Sequence, residues 1–220
     1  MANQYFNFYY DAVRQGYDSN TWNTLLGVPV VLSNQLTLTG ASIMHFADIL
    51  RGDAVFNINV SEPTAGDDAK IGFKEENGDI FAYFKILNDV LTAETSNGTT
   101  VESIAITWED IWTSTNTEFR IKWEAGAVHF YIGGQWKATI GDESDLNVPV
   151  SVVPGTPMSL YLYNDSNDPL KLKYISIKGI CAIRHNCGTD TGHRNGLRKL
   201  EFIAPATAVF RPSHISVDSI

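Results

Sequence analysis

The sequence has 220 residues, and its 16 Lys and Arg residues against 25 Asp and Glu residues give a net charge of -9. Hydrophobic residues make up 44% of the chain, so a packed core is within reach and wholesale disorder is excluded. The acidic balance excludes a protein that coats the nucleic-acid backbone, and no apolar run approaches the roughly 18 residues that cross a bilayer. We therefore expect neither a nucleic-acid partner nor a membrane partner.

The first residues, from Met1 to Asn7, have neither the basic region nor the apolar region of a secretory signal. We therefore expect synthesis in the cytoplasm without a signal peptide. Release by another route, such as lysis, stays open.

Most of the chain has the two-residue hydrophobic period of β-strands. Helical periodicity is confined to Asp11–Gln15 and Ile43–Leu50, each long enough for a turn or two. Turn-forming clusters separate the other short strands, which we predict at Val28–Leu32, Gln35–Thr39, Ala54–Val60, Ala69–Lys74, Ile80–Ile86, Val90–Glu94, Ser103–Trp108, Met158–Tyr163 and Leu170–Ile177.

The clearest alternation runs from Thr117 to Ile140. Gly133-Gly134 predicts a two-residue hairpin, because both glycines tolerate positive φ. The alternation assigns three sets of side chains to the core: Phe119, Ile121 and Trp123; Val128, Phe130 and Ile132; and Trp136, Ala138 and Ile140. A meander with one buried face, among about a dozen short strands, predicts an all-β, two-sheet antiparallel sandwich.

A change of composition near Ile180 divides the chain. Residues 180–220 carry a net charge of +2, whereas the first 179 residues carry -11. We predict a sandwich over residues 1–180 and a C-terminal extension over residues 181–220, with strands at Arg198–Ile203 and Thr207–Arg211. The opposite charges favour docking of the extension on the sandwich or on a neighbouring subunit.

Residues 116–138, with their Gly-Gly hairpin, resemble the strand core of the concanavalin A-like, laminin G-like jelly-roll superfamily. Pro157–Asn164 and Leu170–Ile177 are similar to its closing pair of strands, and Asp18–Trp22 followed by Asn34–Leu38 is similar to its opening. The resemblance covers roughly residues 5–180 and implies a jelly-roll sandwich. This fold hosts lectins, glycanases, adhesion modules and virion proteins, so it does not imply one function.

Retaining glycanases of this superfamily carry two carboxylates on one strand face, as Glu-x-Asp-x-Glu or Glu-x-Asp-x-x-Glu, about 5 to 5.5 Å apart. The sequence lacks that run. Glu75-Glu76 and Glu109-Asp110 are adjacent pairs whose side chains point to opposite faces of any strand. The sequence also lacks a Gly-x-Ser-x-Gly nucleophile elbow. We therefore expect no catalytic residue and no enzyme, with convergence of two distant glutamates as the open alternative.

Four residues of metal-binding or redox-active types cluster where the C-terminal extension begins: Cys181, His185, Cys187 and His193. Their spacing, C-x₃-H-x-C-x₅-H, is not a standard zinc spacing. A zinc site, a disulfide between the two cysteines and free thiols all stay open, and cytosolic synthesis favours free thiols.

A predicted loop offers oxygen ligands of the kind that suit Ca²⁺, at Asp165, Asn167 and Asp168. The loop lacks the D-x-D-x-D-G pattern, and Asn and Asp are also the residues of ordinary turns. We expect no cofactor, with calcium in this loop as the alternative.

Four aromatic side chains are candidates for ligand contact: Trp108, Trp112, Tyr161 and Tyr163. The two tryptophans lie in a predicted loop, where an exposed indole stacks on a sugar ring or anchors a protein contact. The two tyrosines share one strand face and line an outer groove, unless the C-terminal extension covers them.

These observations favour a non-enzymatic structural or interaction protein, above all a virion component such as a phage capsid decoration or attachment protein. Its location would be the virion or another assembly, and its partners would be further copies of itself, a capsid or a glycan. A carbohydrate-binding module is the first alternative, and a glycoside hydrolase of the same fold is the second.

Overall fold

The computed structural model describes residues 4–19, 21–45, 49–60, 62, 64–109, 116–124, 126–141, 158–166 and 168–181. These residues form two antiparallel sheets packed face to face, as the sequence predicts. Among the described residues the helix α1 (Ala12–Gln15) is a single turn, and no helix is of a length and hydropathy that would cross a membrane.

Strands are numbered in chain order. The eight-stranded sheet has β1 (Gln4–Asp11) paired with β15, and its other strands follow the order β13 (Gln135–Gly141), β12 (Ala127–Ile132), β11 (Thr117–Trp123), β6 (Ile49–Asn59), β15 (Leu170–Cys181), β4 (Gln35–Leu38) and β3 (Val30–Leu32). The seven-stranded sheet has the order β10 (Val101–Ile106), β9 (Val90–Asn97), β8 (Ile80–Leu87), β7 (Asp68–Lys74), β14 (Ser159–Asn164), β5 (Ala41–His45) and β2 (Trp22–Leu26).

Aromatic rings from both sheets meet in the core. Phe84 of β8 packs edge-on against Phe119 of β11 and Phe130 of β12, with ring centroids 5.2 and 5.1 Å apart, and all three rings are fully buried. Phe73 and Trp123 make a second contact between the sheets at 5.8 Å. Because side chains alternate along a strand, each inward ring fixes its neighbours as outward-facing.

The helix predicted at Asp11–Gln15 is confirmed. The Asp11 carboxylate caps α1 by accepting a hydrogen bond from the backbone N–H of Val13 at 2.9 Å. The helical turn predicted at Ile43–Leu50 is wrong, because β5 runs through His45 and β6 begins at Ile49. All five side chains of β5 are buried, so the strand shows no alternation in its sequence.

Trp136 is exposed over 62% of its surface, so its assignment to the core is wrong. The register between β12 and β13 shifts between Phe130 and Tyr131, which brings Trp136 opposite the outward-facing Tyr131. A bulge of this kind changes the face of every residue beyond it. Ala138 and Ile140, on the other side of the bulge, are buried as predicted.

The described chain ends with β15, whose last residue, Cys181, lies at the predicted domain boundary. Residues 182–220, including both predicted strands of the C-terminal extension, lie outside the described residues. The division of the chain into sandwich and extension therefore stays a prediction.

Asn164 at the end of β14 joins the two sheets. Its side-chain amide is buried, donates hydrogen bonds to the carbonyl oxygens of Leu38 (2.7 Å) and Asp168 (2.8 Å), and accepts one from the hydroxyl of Ser166 (2.8 Å). Leu38 belongs to the eight-stranded sheet, so this amide ties the sheets together at one edge of the core.

We predict that Asn164→Ala lowers the free energy of unfolding by about 2–3 kcal/mol, because it removes the hydrogen bond to Leu38 that joins the sheets and two further hydrogen bonds at this edge of the core. Asn23→Ala, at a partly exposed position on β2, is the control and should change it by less than about 0.5 kcal/mol. Urea denaturation measures both. Equal effects of the two substitutions would contradict the structural role of Asn164.

Candidate functional site

The outward side of the seven-stranded sheet collects aromatic, basic and carboxylate side chains. We call it the Glu94 face and define it by the outward-facing positions of β7, β8, β9 and β14: Asp68, Lys70, Gly72, Lys74, Phe81, Tyr83, Lys85, Leu87, Val90, Thr92, Glu94, Ser96, Ser159, Tyr161 and Tyr163. Several of them point away from the core and are buried nevertheless: Tyr83, Glu94, Ser96, Ser159 and Tyr161. Their shielding from water strengthens every polar contact on this face.

Cross-strand register places four of these residues in one row across the sheet. Glu94 lies opposite Tyr83, Tyr83 opposite Gly72, and Gly72 opposite Tyr161. Neighbouring strands are about 4.8 Å apart, so the row runs about 14 Å from the carboxylate to the far tyrosine.

Glu94 is the central polar group of this face. Both of its carboxylate oxygens lie 3.3 Å from the ammonium nitrogen of Lys85, which donates to them. The hydroxyls of Thr92 and Ser103 donate to Oε1 at 3.2 and 3.4 Å. The Glu94 side chain is only 10% exposed, so these contacts hold one carboxylate in a fixed position in a place with little water.

Each of the two tyrosines in this cross-strand row stacks on a neighbouring ring. Phe81 and Tyr83 stack with centroids 4.2 Å apart and planes at 11°, and Tyr161 and Tyr163 stack at 6.2 Å and 20°. The Lys70 ammonium lies 4.1 Å from the centroid of the Tyr163 ring, within the range of a cation–π contact. The face therefore combines apolar ring surfaces with charged hydrogen-bonding groups.

Gly72 forms the floor between the two ring pairs. A Cβ atom at this position would lie 2.4 Å from the carbonyl oxygen of Ala82 and 2.6 Å from the Cα of Tyr83. No larger residue fits without moving β8, so the close approach of β7 to β8 at this point requires glycine.

The other carboxylate on the Glu94 face is Asp68. It lies two strands away from Glu94 and four residues along from Gly72, so the two carboxyl groups are about 16 Å apart. Glycosidases that use two carboxylates hold them about 5–9.5 Å apart. Asp68 instead pairs with Lys70 at 2.9 Å and does not act together with Glu94.

The four predicted aromatic residues lie in different surroundings. Tyr161 and Tyr163 both lie on the Glu94 face, Tyr161 buried and Tyr163 half-buried. Trp108 is partly buried and packs against the hydrophobic core. Trp112 lies outside the described residues. Their role in ligand binding stays a prediction.

The predicted calcium loop is described only in part. Asp165 is exposed and accepts a hydrogen bond from the Tyr163 hydroxyl at 3.4 Å, whereas the Asp168 backbone carbonyl accepts from Asn164 and Ser166. Asn167 lies outside the described residues. Within the described ranges no group of three or more His, Cys, Asp or Glu residues is arranged to hold a metal ion, and the calcium site stays a prediction.

The cysteine–histidine cluster lies almost wholly beyond β15. Cys181 is the last residue of that strand, and His185, Cys187 and His193 lie outside the described residues. The choice between zinc, a disulfide and free thiols therefore stays as the sequence leaves it.

Sequence reasoning missed Glu94 and Tyr83 as candidates. Tyr83 stands between the inward-facing Ala82 and Phe84, and Glu94 between the inward-facing Ala93 and Thr95. The two-residue period could have placed both on the outward face, but it could not show that they lie opposite each other, because that depends on the register of β8 with β9.

The chain is similar in fold to solved structures of glycan-active enzymes. A Crh5 transglycosylase in complex with NAG has a TM-score of 0.65 at 14% identity, over 81% of this chain and 88% of its own. The laminarinase from Rhodothermus marinus has a TM-score of 0.65 at 10% identity, over 83% and 100%. The laminarinase catalytic domain from Thermotoga maritima has a TM-score of 0.66 at 12% identity, over 81% and 99%. No protein-family model and no curated protein matches the sequence.

At these identities the likeness shows the fold alone, a jelly-roll sandwich. The resemblance seen in the sequence is confirmed at that level, but it does not extend to a non-catalytic member.

The expectations of a structural virion component and of a protein without enzymatic activity are wrong. The solved structures that share this fold with the chain include laminarinases and a transglycosylase, which are glycan-active enzymes. Both expectations depended in part on the absence of catalytic motifs, above all of alternating carboxylates along one strand. Side chains that meet across neighbouring strands, as Glu94 and Tyr83 do, escape a search for such motifs.

Tyr163 supplies a pH-dependent prediction. Burial, followed by the charges of Asp68 and Asp165, raises the pKa of Tyr163 from 10.0 to about 12. The folded protein therefore keeps this proton at a pH where the unfolded chain has lost it. The stabilisation is complete below pH 10 and is lost as the pH rises towards 12.

We predict that the melting temperature falls less steeply between pH 10 and pH 12 in Tyr163→Phe than in the original protein, since the substitution removes the titrating group. Thermal unfolding followed by circular dichroism at several pH values measures this difference. Parallel curves for the two proteins would contradict the raised pKa.

Proposed function

We propose that the protein is a glycan-active enzyme that binds its polysaccharide across the Glu94 face and uses Glu94 in the reaction. One observation carries the proposal. A buried carboxylate, held by Lys85 and two hydroxyls, stands in the same cross-strand row as two tyrosine rings. Ring surfaces beside a fixed carboxylate are what the cleavage or transfer of a sugar chain needs.

The aromatic side chains would bind the sugar. The faces of sugar rings carry C–H groups that pack on aromatic rings, and the phenolic hydroxyls supply hydrogen bonds at the rim of those rings. The phenols of Tyr83 and Tyr161 are protonated at neutral pH, as ordinary phenols are, and burial raises the pKa of both further, so both hydroxyls can donate hydrogen bonds.

Glu94 would act on the charge that develops during the reaction. Cleavage of a glycosidic bond passes through a transition state with positive charge at the sugar ring, and an adjacent carboxylate stabilises this charge. Water, or a hydroxyl of a second sugar chain, bonds to the ring carbon as the glycosidic bond breaks, and its proton passes to the leaving sugar oxygen. A carboxylate that is already fixed and shielded from water needs no reorganisation when the charge appears, so its effect is large.

The substrate class comes from the similar structures, which include laminarinases and an endo-β-1,3-glucanase from Pyrococcus furiosus. We therefore propose a β-1,3-linked glucan as the substrate, cleaved by water or transferred to a second sugar chain. The two ring pairs support this proposal, because their aromatic surfaces are of the kind on which sugar rings pack.

We predict that Glu94→Gln lowers the turnover of a β-1,3-glucan by about 100-fold or more while the affinity for the glucan changes little. The substitution keeps the shape of the side chain and removes its charge. Product formation from a reduced-end-labelled oligosaccharide gives the rate, and isothermal titration gives the affinity.

Glu76→Gln is the matched control for this experiment. It removes the charge of an exposed glutamate in the turn between β7 and β8, outside the Glu94 face, so the rate should stay within a few-fold of the original. Full activity in Glu94→Gln would contradict the role of Glu94. Binding of the glucan by the original protein without any cleavage or transfer would contradict the proposal of an enzyme.

A further inference from the structure

The outward side of the eight-stranded sheet is basic, although the chain as a whole carries a charge of -9. On β6, β11 and β15 the charged side chains that point away from the core are six cations and two acids, and one more acid, Glu124, directly follows β11. The cations are Arg51, Arg120, Lys122, Lys171, Lys173 and Lys178, and the two acids are Asp53 and Glu118. A local excess of positive charge on an acidic protein favours a negatively charged partner at this place alone.

A shallow groove of about 440 Å³ lies at one end of this surface. The backbone of Trp123, Gly52 and Gly179, aligned across three neighbouring strands, forms its floor. Charged side chains of the two adjacent rows line its sides: Lys122, Asp53 and Lys178 on one side, Glu124 and Arg51 on the other. We call it the basic groove.

Ion pairs within the sheet neutralise part of the groove. Asp53 accepts two hydrogen bonds from the guanidinium of Arg120, at 2.7 and 2.5 Å, and Lys122 pairs with Glu124. Arg51 and Lys178 form no ion pair with any residue that the structure describes, and both are exposed. After these pairs are formed, the groove still presents two cations.

The basic surface continues along β15 beyond the groove. Tyr9 and Tyr174 stack at 5.9 Å and 29°, and Tyr9 is 47% exposed, so they offer a flat ring platform. Lys173 and Lys171 follow on β15 beyond this platform. Lys171 lies seven residues, or about 20 Å, from Lys178 at the groove. Cations therefore stand on both sides of an aromatic platform.

We infer that this strip, from Arg51 and Lys178 to Lys171, binds an anionic polysaccharide whose sugar residues bear carboxylate or sulfate groups. The cations bind the acidic groups and the Tyr9–Tyr174 platform packs against the sugar between them. The excess of cations favours an anionic chain over a neutral one, and the exposed tyrosine rings favour a polymer of sugars, which can pack on them. The strip lies on the opposite side of the sandwich from the Glu94 face, so the inference is independent of catalysis there.

The test compares carboxymethylated β-1,3-glucan with unmodified β-1,3-glucan of the same length. We expect the carboxymethylated chain to bind about fivefold to tenfold more tightly at low salt, with the difference lost above about 0.5 M NaCl. Isothermal titration measures both affinities. If the two polymers bind equally at low salt, the inference is wrong.

Single-charge variants locate the effect. Arg51→Gln and Lys178→Gln should each lower the affinity for the carboxymethylated glucan by about twofold to fivefold and leave the affinity for the unmodified glucan unchanged. Lys137→Gln is the control, because it removes one charge from β13, at the far edge of the same sheet and four strands from β15. Loss of affinity in Lys137→Gln equal to that in the groove variants would overturn the inference.

Two further measurements separate this site from others. Tyr161→Ala should weaken binding of the unmodified glucan, because Tyr161 lies on the Glu94 face. It should leave the ratio of the two affinities unchanged, because the anionic site lies on the other sheet. The proposed function and the anionic site can therefore fail independently. Inorganic polyphosphate with the same charge should bind more weakly than the carboxymethylated glucan, because it has no sugar to pack on the tyrosines. Equal binding of polyphosphate would show a general polyanion surface and would overturn the assignment to a glycan.

Discussion

The contact of Phe84 with Phe119 and Phe130 across the sandwich is the constraint on which the rest of the structure depends. These rings fix which residues of β8 and β11 point into the core, and the two-residue period of a strand then fixes their neighbours as outward-facing. Tyr83 and Lys85 reach Glu94 because Phe84 is buried between them. In the eight-stranded sheet, Arg120 of β11 pairs with Asp53 of the neighbouring β6, because Phe119 and Ile121 are buried on either side of Arg120. The outward surface of each sheet is thus determined by the side chains that the sheet packs into the core.

The two outward surfaces differ in how they hold charge. On the Glu94 face, one carboxylate is shielded from water and has a single ammonium partner, so its electrostatic effect on a bound ligand is strong and local. On the eight-stranded sheet, exposed cations outnumber acids, and salt screens their effect. The first arrangement suits chemistry at one bond, and the second suits weak attachment along a polymer.

The sequence predicted the sandwich well because most strands have one buried and one outward face, as in Thr117–Trp123 with its alternating burial. It failed at β5, which is buried on both sides, and at Trp136, where a bulge changes the phase. The shared face of Tyr161 and Tyr163 was predictable from one strand. The juxtaposition of Glu94 with Tyr83 was not, because it depends on the register of two strands and on burial that only the folded chain shows. The absence of a linear carboxylate run suggested that there was no enzyme, and the enzymes that share the fold correct that expectation.

A crystal structure with a β-1,3-glucan oligosaccharide bound tests the central claim most directly. The account predicts sugar density over β7, β8, β9 and β14, with a ring packed on Tyr83 or Tyr161 and a sugar oxygen or ring carbon within about 3.5 Å of a Glu94 carboxylate oxygen. Density at saturating oligosaccharide that lies elsewhere on the protein, with Glu94 still bound only to Lys85, Thr92 and Ser103, would contradict it.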